Sequence, residues 1–403
     1  AAIAAVRDAE AAGGPKAKVA DYIPALAGAD PEQFDLVVVD VHGNVFRAGH
    51  EGPAVTIQSI SKAFVYAANV DRLGVHHMDG LIQGEQSGEP FNSPKFTPDG
   101  RAYNASVNAG AIVSTSQLLP GASLEQRMQE VVDILSAFAG RPLSVDQLVY
   151  HSEATTGDNN MYLAALAQNL GILGTRTIAD AVYPYFCQCS VQVTARDLAV
   201  MGATLAGGGV NPVTGQRVIS AGATGHALAE IQHTGLYDES GRYSISVGAP
   251  AKSGVGGGLV TVYPGEFAVG IVSPPLNPVG NTARGVAAMT DFTRRFATHP
   301  ITRGAIHTHP GRVERTGDGV RITLAGALDF WTTVRALLDT DTRRGGQDSI
   351  TLDLRGATTS TPAITTLLRD ALRHATLDGR TTHLRDPRNL LDTGGTGERR
   401  PST

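Results

Sequence analysis

With 403 residues the chain exceeds what one ordinary hydrophobic core takes up and calls for two domains. Apolar residues make up 42% and charged residues 18%, and a formal net charge of −5 spread over interspersed acidic and basic groups leaves no basic stripe for nucleic acid. No apolar run approaches the roughly 18 residues of a membrane-spanning helix, and the first residues lack a charged-then-apolar leader. The expectation is a soluble cytoplasmic protein, with an already cleaved leader left open.

Taken in order, the alanine-rich residues 1–18 read as a helix broken at Gly13-Gly14-Pro15. Pro24 then stops any helix through the next residues and leaves Tyr22 at a helix-to-loop junction. Leu36 to Val41, His42-Gly43-Asn44 and Val45 to Ala48 read as strand, tight turn and strand. Gln58-Ser59-Ile60-Ser61-Lys62 follows, at the start of an apolar helix. Positions i and i+3 share a helix face, so Ser59 Oγ and Lys62 Nζ can meet one turn apart near the positive end of the helix. A serine hydroxyl is a poor nucleophile until a neighbour takes its proton. Lysine use sharpens the point: it occurs only at Lys16, Lys18, Lys62, Lys95 and Lys252, while arginine is abundant throughout. Lysine can lose its proton and arginine cannot, which gives Lys62 and Lys252 a reason to be lysine. Burial and the proximity of Lys252 are expected to lower the Lys62 pKa.

Residues 76–104 lack periodicity and are rich in Gly, Pro, Asn and Ser, as in a long ordered loop. Ser106 to Ala111, containing Asn108, opens a small-residue helix. Residues 124–139 and 159–170 carry helical periodicity, with His151 to Asn160 between them as a polar loop that includes Glu153. Ala181 to Ser190 is aromatic and apolar and contains Tyr185. Its cysteines, Cys187 and Cys189, stand too close in an extended segment to bridge and lack a second pair for zinc, so they read as reduced core residues. Thr194 to Leu205 reads as a helix and Tyr243 to Val247 as a strand. Ala251-Lys252-Ser253-Gly254-Val255-Gly256-Gly257-Gly258 reads as a strand edge where missing side chains admit a ligand to the backbone. A strand at 267–273 and a helix from about Gly280 to Phe296 complete an antiparallel sheet with helices packed on it, one α+β domain over residues 1–299. Beyond it Val320 to Leu324, 329–339, Ser349 to Leu354, 363–375 and Thr381 to Leu384 alternate strand and helix, a small α/β domain over 306–386. A polar, mobile tail over 387–403 ends the chain.

Ser-x-x-Lys followed later by Lys-Ser-Gly is the signature of the serine β-lactamase and penicillin-binding class. From Tyr22 to about residue 296 the chain more specifically resembles the serine-dependent glutaminases, which have a β-lactamase-like fold. The blocks that carry the resemblance are Asp21-Tyr22-Ile23-Pro24, Gln58-Ser59-Ile60-Ser61-Lys62, Val107-Asn108-Ala109-Gly110-Ala111-Ile112, Ser152-Glu153 with Gly157-Asp158 and Asn160, Tyr185 before Cys189-Ser190, Gly235-Leu236-Tyr237-Asp238 and Ala251-Lys252-Ser253-Gly254-Val255. The resemblance implies that Ser59 is the nucleophile, Lys62 its base and Tyr237 a proton relay, with the N–H groups of Ser59 and Val255 as oxyanion hole. It also implies that Tyr22, at the catalytic centre, holds L-glutamine together with Gln58, Asn108, Glu153, Asn160 and Tyr185. A homo-oligomer, dimer or tetramer, is implied as well, with no cofactor, no metal, and no nucleic-acid or membrane partner. The chemistry of the substrate points the same way. A free amino acid needs an anion for its ammonium, which Glu153 supplies, and neutral donors for its carboxylate, which Asn and Tyr supply.

Ile350-Thr351-Leu352-Asp353-Leu354-Arg355-Gly356-Ala357-Thr358 more distantly resembles the STAS family of anti-sigma-antagonist-like modules. Phosphorylated members carry an acidic residue and a serine after this strand, whereas here the stretch is Ser360-Thr361-Pro362-Ala363, which favours a docking or stabilising module over a switch. Two other readings of the whole chain compete. A penicillin-recognising hydrolase would need a wider groove, whereas Glu153 with Asn160 suits a small zwitterion. A regulatory protein with a degenerate first domain would not be expected to keep the full set of catalytic residue types.

Overall fold

The structure is a computed structural model that describes residues 6, 17–20, 23–48, 52–174, 176–302, 311–317, 319–342 and 349–391. Its contacts divide the chain into two units, with the sequence boundary between Thr290 and Asp291. The helix expected over residues 1–18 lies almost wholly outside the described residues, as do Asp21, Tyr22 and 392–403 of the expected tail.

The first unit has the expected α+β architecture. Strand β1 (Asp35–Asp40) turns into β2 (Val45–Ala48), and the turn is held by Asp40 Oδ1, which accepts the N–H groups of His42 and Asn44 at 2.9 Å each. Two short strands, β3 (Val55–Thr56) and β4 (Gln192–Val193), pair with each other. The return strands are β5 (Ala251–Gly254), β6 (Gly258–Tyr263) and β7 (Phe267–Val272). Together they form a five-stranded antiparallel sheet in the order β2-β1-β7-β6-β5. The unbroken apolar run Leu36-Val37-Val38-Val39 reflects a strand buried on both faces.

The helices are α1 (Ser61–Leu73), α2 (Val75–Asp79), α3 (Asn108–Ser116), α4 (Leu124–Ala139), α5 (Gln147–Thr156), α6 (Asp158–Asn169), α7 (Ile178–Cys189), α8 (Ala195–Ala206), α9 (Ala221–Thr234), α10 (Ser240–Ser246) and α11 (Ala283–Phe296). Helix α8 lies hard on the sheet. A Cβ on Gly202 would come within 2.6 Å of Val260 Cγ2, so only glycine permits that approach. The main core fills the space beneath α1, α3, α4 and α7, where Phe64 and Phe138 pack with ring centroids 4.9 Å apart. Cys187 and Cys189 are free and buried, as read, but they sit on helix α7 and not in an extended segment.

Four further expectations are corrected. His151 to Asn160 is not a loop: α5 runs to Thr156, with Asp146 as N-cap accepting the N–H groups of Leu148 and Val149. Tyr243 to Val247 is not a strand, because α10 buries Ser240 and Tyr243, and its C-cap Val247 with them, at helical spacing. The long loop holds the short helix α2, and α1 begins at Ser61 after a 3-10 turn, Gln58–Ile60. Among the described residues no helix is long and apolar enough to cross a membrane.

The second unit contains β8 (Arg312–Arg315), β9 (Gly319–Ala327), α12 (Phe330–Thr342), β10 (Ser349–Thr359), α13 (Pro362–Leu377) and β11 (Thr381–Arg385). Its sheet order is β11-β10-β9-β8. The three strands joined through helices are parallel, as βαβ connections require, and β8 adds an antiparallel edge. Thr361 caps α13 and Pro362 opens it, so the stretch after the β10 strand is spent on starting a helix.

Candidate active site

Ser59 stands in the 3-10 turn, only 5% exposed, and Lys62 lies in the first turn of α1. Gln58 has φ of +50°, a left-handed backbone that turns the chain sharply into the Ser59 position. The Gly-rich end of β5 runs against this turn. A Cβ on Gly254 would lie 2.7 Å from Ile57 O, and one on Gly256 would lie 2.3 Å from Thr56 O. Bare backbone on both sides of Val255 is therefore what lets this stretch lie against the backbone of Thr56 and Ile57, which leads into Ser59.

Lys62 is fully enclosed, and its Nζ donates to Ser106 O at 2.9 Å and Asn108 Oδ1 at 2.7 Å. Burial pulls its pKa down to about 8, and Cys189 and then Glu153 push it back up. Lys252 is not among the groups that shift Lys62, contrary to expectation; the effect runs the other way, and burial, then Lys62, holds Lys252 well below the usual lysine range. Lys252 Nζ donates to Gly235 O and Ser253 O at 2.9 Å each and lies 4.3 Å from the centre of the Tyr237 ring. Tyr237 itself has φ of +55°. Burial raises its pKa above the ordinary tyrosine value, and the adjacent Ser59 side chain pulls the other way. The Tyr237 hydroxyl lies against Ser59 without closing a well-aligned hydrogen bond.

A polar wall surrounds this pair. Asn108 begins α3, where its Oδ1 takes the Lys62 amine and its Nδ2 donates to Asn160 Oδ1 at 2.9 Å. Glu153, on the inner face of α5, is 6% exposed. Burial raises its pKa to about 7, against the opposing pull of a hydrogen bond from Gln58 and the nearby Lys62. The Tyr185 ring centre on α7 lies 5.9 Å from Lys62 Nζ. Ser59, Lys62, Gln58, Asn108, Glu153, Asn160, Tyr185, Tyr237 and Val255 thus line one region, whereas Tyr22 lies outside the described residues.

Sequence reasoning missed several groups. Phe91, from the loop before α3, stacks on Tyr237 with centroids 4.9 Å apart. That loop is pinned by Asn108 N donating to Phe91 O and Asn159 Nδ2 to Asn92 O, each at 2.9 Å. Asn281 accepts the Ser253 hydroxyl and donates to Leu236 O and Glu239 Oε2, tying the Lys252 strand to the Tyr237 turn. None of these has a motif around it; only the length and polarity of the 76–104 stretch hinted that it covers something.

The family model described as Glutaminase matches residues 17–300. The glutaminase of Corynebacterium glutamicum is 34% identical over 377 residues, which cover 93% of this chain and 91% of that protein. The glutaminase of Brucella canis is 42% identical over 274 residues, 68% of this chain and 86% of that protein. Among solved structures, Mglu in its native form superposes with a TM-score of 0.71 at 34% identity, covering 96% of this chain and 98% of that one. The probable glutaminase ybaS gives a TM-score of 0.69 at 34% identity over 73% of this chain and 97% of that one.

Proposed function

This chain belongs to the glutaminase family and hydrolyses glutamine to glutamate, and we propose that it does so through a covalent glutamyl-serine intermediate on Ser59. The observation that carries the reading is the hydrogen bonding of Lys62. A neutral amine has two N–H bonds and one lone pair, and Ser106 O and Asn108 Oδ1 take the two N–H bonds. The lone pair is then left for the Ser59 proton, and a pKa of about 8 keeps a useful fraction of the amine neutral near neutrality.

In the first step Ser59 Oγ attacks the side-chain amide carbon of glutamine while its proton passes to Lys62. The N–H groups of Ser59 and Val255 bind the oxygen that becomes negative. The C–N bond breaks as the nitrogen takes a proton, leaving ammonia and a glutamyl ester. Water then attacks the ester by the reverse proton route and releases glutamate. Tyr237 stays protonated because burial raises its pKa, so it relays a proton and does not act as a standing base. Glu153 binds the α-ammonium, with Gln58, Asn108, Asn160, Tyr185 and Tyr22 about the rest of the amino acid. The α/β unit after residue 306 carries none of these groups, and a STAS-like docking or stabilising role fits it.

Lys62→Arg tests the reading. A guanidinium keeps the charge and cannot take the proton, so turnover should fall about as far as in Lys62→Ala, by roughly a thousandfold or more. Wild-type turnover in Lys62→Arg would mean that the residue acts through charge alone.

A further inference from the structure

A second buried carboxylate, unused in this scheme, stands behind the catalytic lysine. Glu230 lies on the inner face of α9 and is 6% exposed. Its Oε1 accepts the Ala105 N–H at 2.7 Å. The Thr234 hydroxyl, one turn on, lies 2.9 Å from Ser106 Oγ, 2.8 Å from Glu230 O and 3.5 Å from Glu230 Oε1. Ala105 and Ser106 are the residues whose backbone presents the Ser106 carbonyl to Lys62 Nζ. A carboxylate is a costly group to bury, and here its one close partner is a loop amide next to the acceptor of the catalytic amine, with the Thr234 hydroxyl of its own helix bridging on to Ser106.

We propose that Glu230 is a positioning residue for Lys62: by holding the Ala105 amide and, through Thr234, the Ser106 hydroxyl, it sets the carbonyl that receives the Lys62 amine. The proposal rests on the serine–lysine reading given above. The surroundings make the hold dependent on pH. Burial raises the Glu230 pKa to about 7, the Ala105 and Thr234 hydrogen bonds oppose that rise, and the charges of Asp79 and Glu85 reinforce it. The other facing groups are Tyr66 of α1 and His226 of α9, whose Oη and Nε2 are 2.9 Å apart, with His226 3.7 Å from Asp79. Burial, then the charges of Glu230 and Asp79, raise the pKa of Tyr66, which keeps that hydroxyl protonated. Above pH 7 the ionised carboxylate grips the amide. Below it the protonated acid is the weaker acceptor and the Ser106 carbonyl is held less firmly.

The test is the pH profile of kcat at saturating glutamine for wild type and Glu230→Gln. The amide imitates the protonated acid, so kcat of the variant should lie about tenfold below wild type near pH 9 and converge on it below about pH 6, with KM within about twofold. Glu230→Asp, which restores the charge on a shorter arm, should recover part of the loss at high pH. Thr234→Val, which removes only the hydroxyl bridge, should lower kcat at high pH and leave KM unchanged; it decides the matter if Glu230→Gln does not fold. A Glu230→Gln profile parallel to wild type at every pH, whether equal or uniformly lower, overturns the proposal, as does wild-type kcat in Thr234→Val. If Lys62→Arg is inactive while Glu230→Gln matches wild type, the serine–lysine reading stands and this inference alone falls. If Lys62→Arg is fully active, the reading falls first.

Discussion

Glu153 distinguishes a site for a free amino acid from a site for amides in general. Ser59 and Lys62 would serve other amides equally well, and the remaining polar groups around them are neutral, so the countercharge for an α-ammonium falls to this carboxylate. Burial raises its pKa to about 7 even against the Gln58 hydrogen bond and the nearby Lys62, which shows how costly the buried anion is. An ammonium arriving beside it lowers that pKa, so substrate and carboxylate each favour the charged form of the other. kcat/KM reports the free enzyme, and it should therefore fall as pH drops below 7, where Glu153 takes up a proton. Glu153→Gln keeps the shape and removes the charge. A charge-assisted hydrogen bond is worth about 1.5 to 3 kcal/mol, so kcat/KM for glutamine should fall at least about tenfold. An analogue lacking the α-amino group should lose much less. Equal preference for glutamine over that analogue in both proteins would remove Glu153 from the ammonium. The sequence discloses this residue through its neighbours in the block; alone it is one more polar residue in a polar stretch.

At the scale of elements, legibility followed how each face is composed. Helix α5 was read as a loop because its buried positions are Val149 and Glu153, and a carboxylate in an apolar stripe hides the period. Helix α10 was read as a strand because tyrosine, isoleucine and valine favour strands, yet Ile245 on it is 82% exposed while Tyr243 and Val247 are buried. The hairpin of β1 and β2 and the return strands were legible because their apolar runs end at glycines and at an asparagine turn. The expected close backbone approach at the glycines after Lys252 has a specific contact: Gly256 faces Thr56 O at a distance no Cβ tolerates. Gly256→Ala should move the Val255 peptide away from Ser59. We expect kcat to fall by about ten- to a hundredfold, in keeping with the loss of oxyanion-hole alignment, while thermal melting still shows one folded protein. Unchanged kcat in Gly256→Ala would separate this hairpin from the oxyanion hole.

For the whole molecule, every described group of the site lies in the first unit, on residues before the boundary at Asp291. The second unit has its own apolar core, from Val313 through Ile322, Leu352 and Leu354 to Leu368 and Leu391, as an independently folding module should. Deleting the chain after about Pro300 should therefore leave kcat and KM for glutamine within a few-fold of the full chain. A soluble, folded truncation without activity would mean that the second unit shapes the site. The central claim is the covalent step at Ser59, and kcat of Ser59→Ala in a protein shown to be folded tests it most directly. The substitution removes one oxygen from a turn closed by the Ser61 N–H and hydroxyl on Gln58 O, so the fold should persist while kcat drops below roughly a thousandth of wild type. A folded Ser59→Ala protein that turns over glutamine above that level would contradict the account.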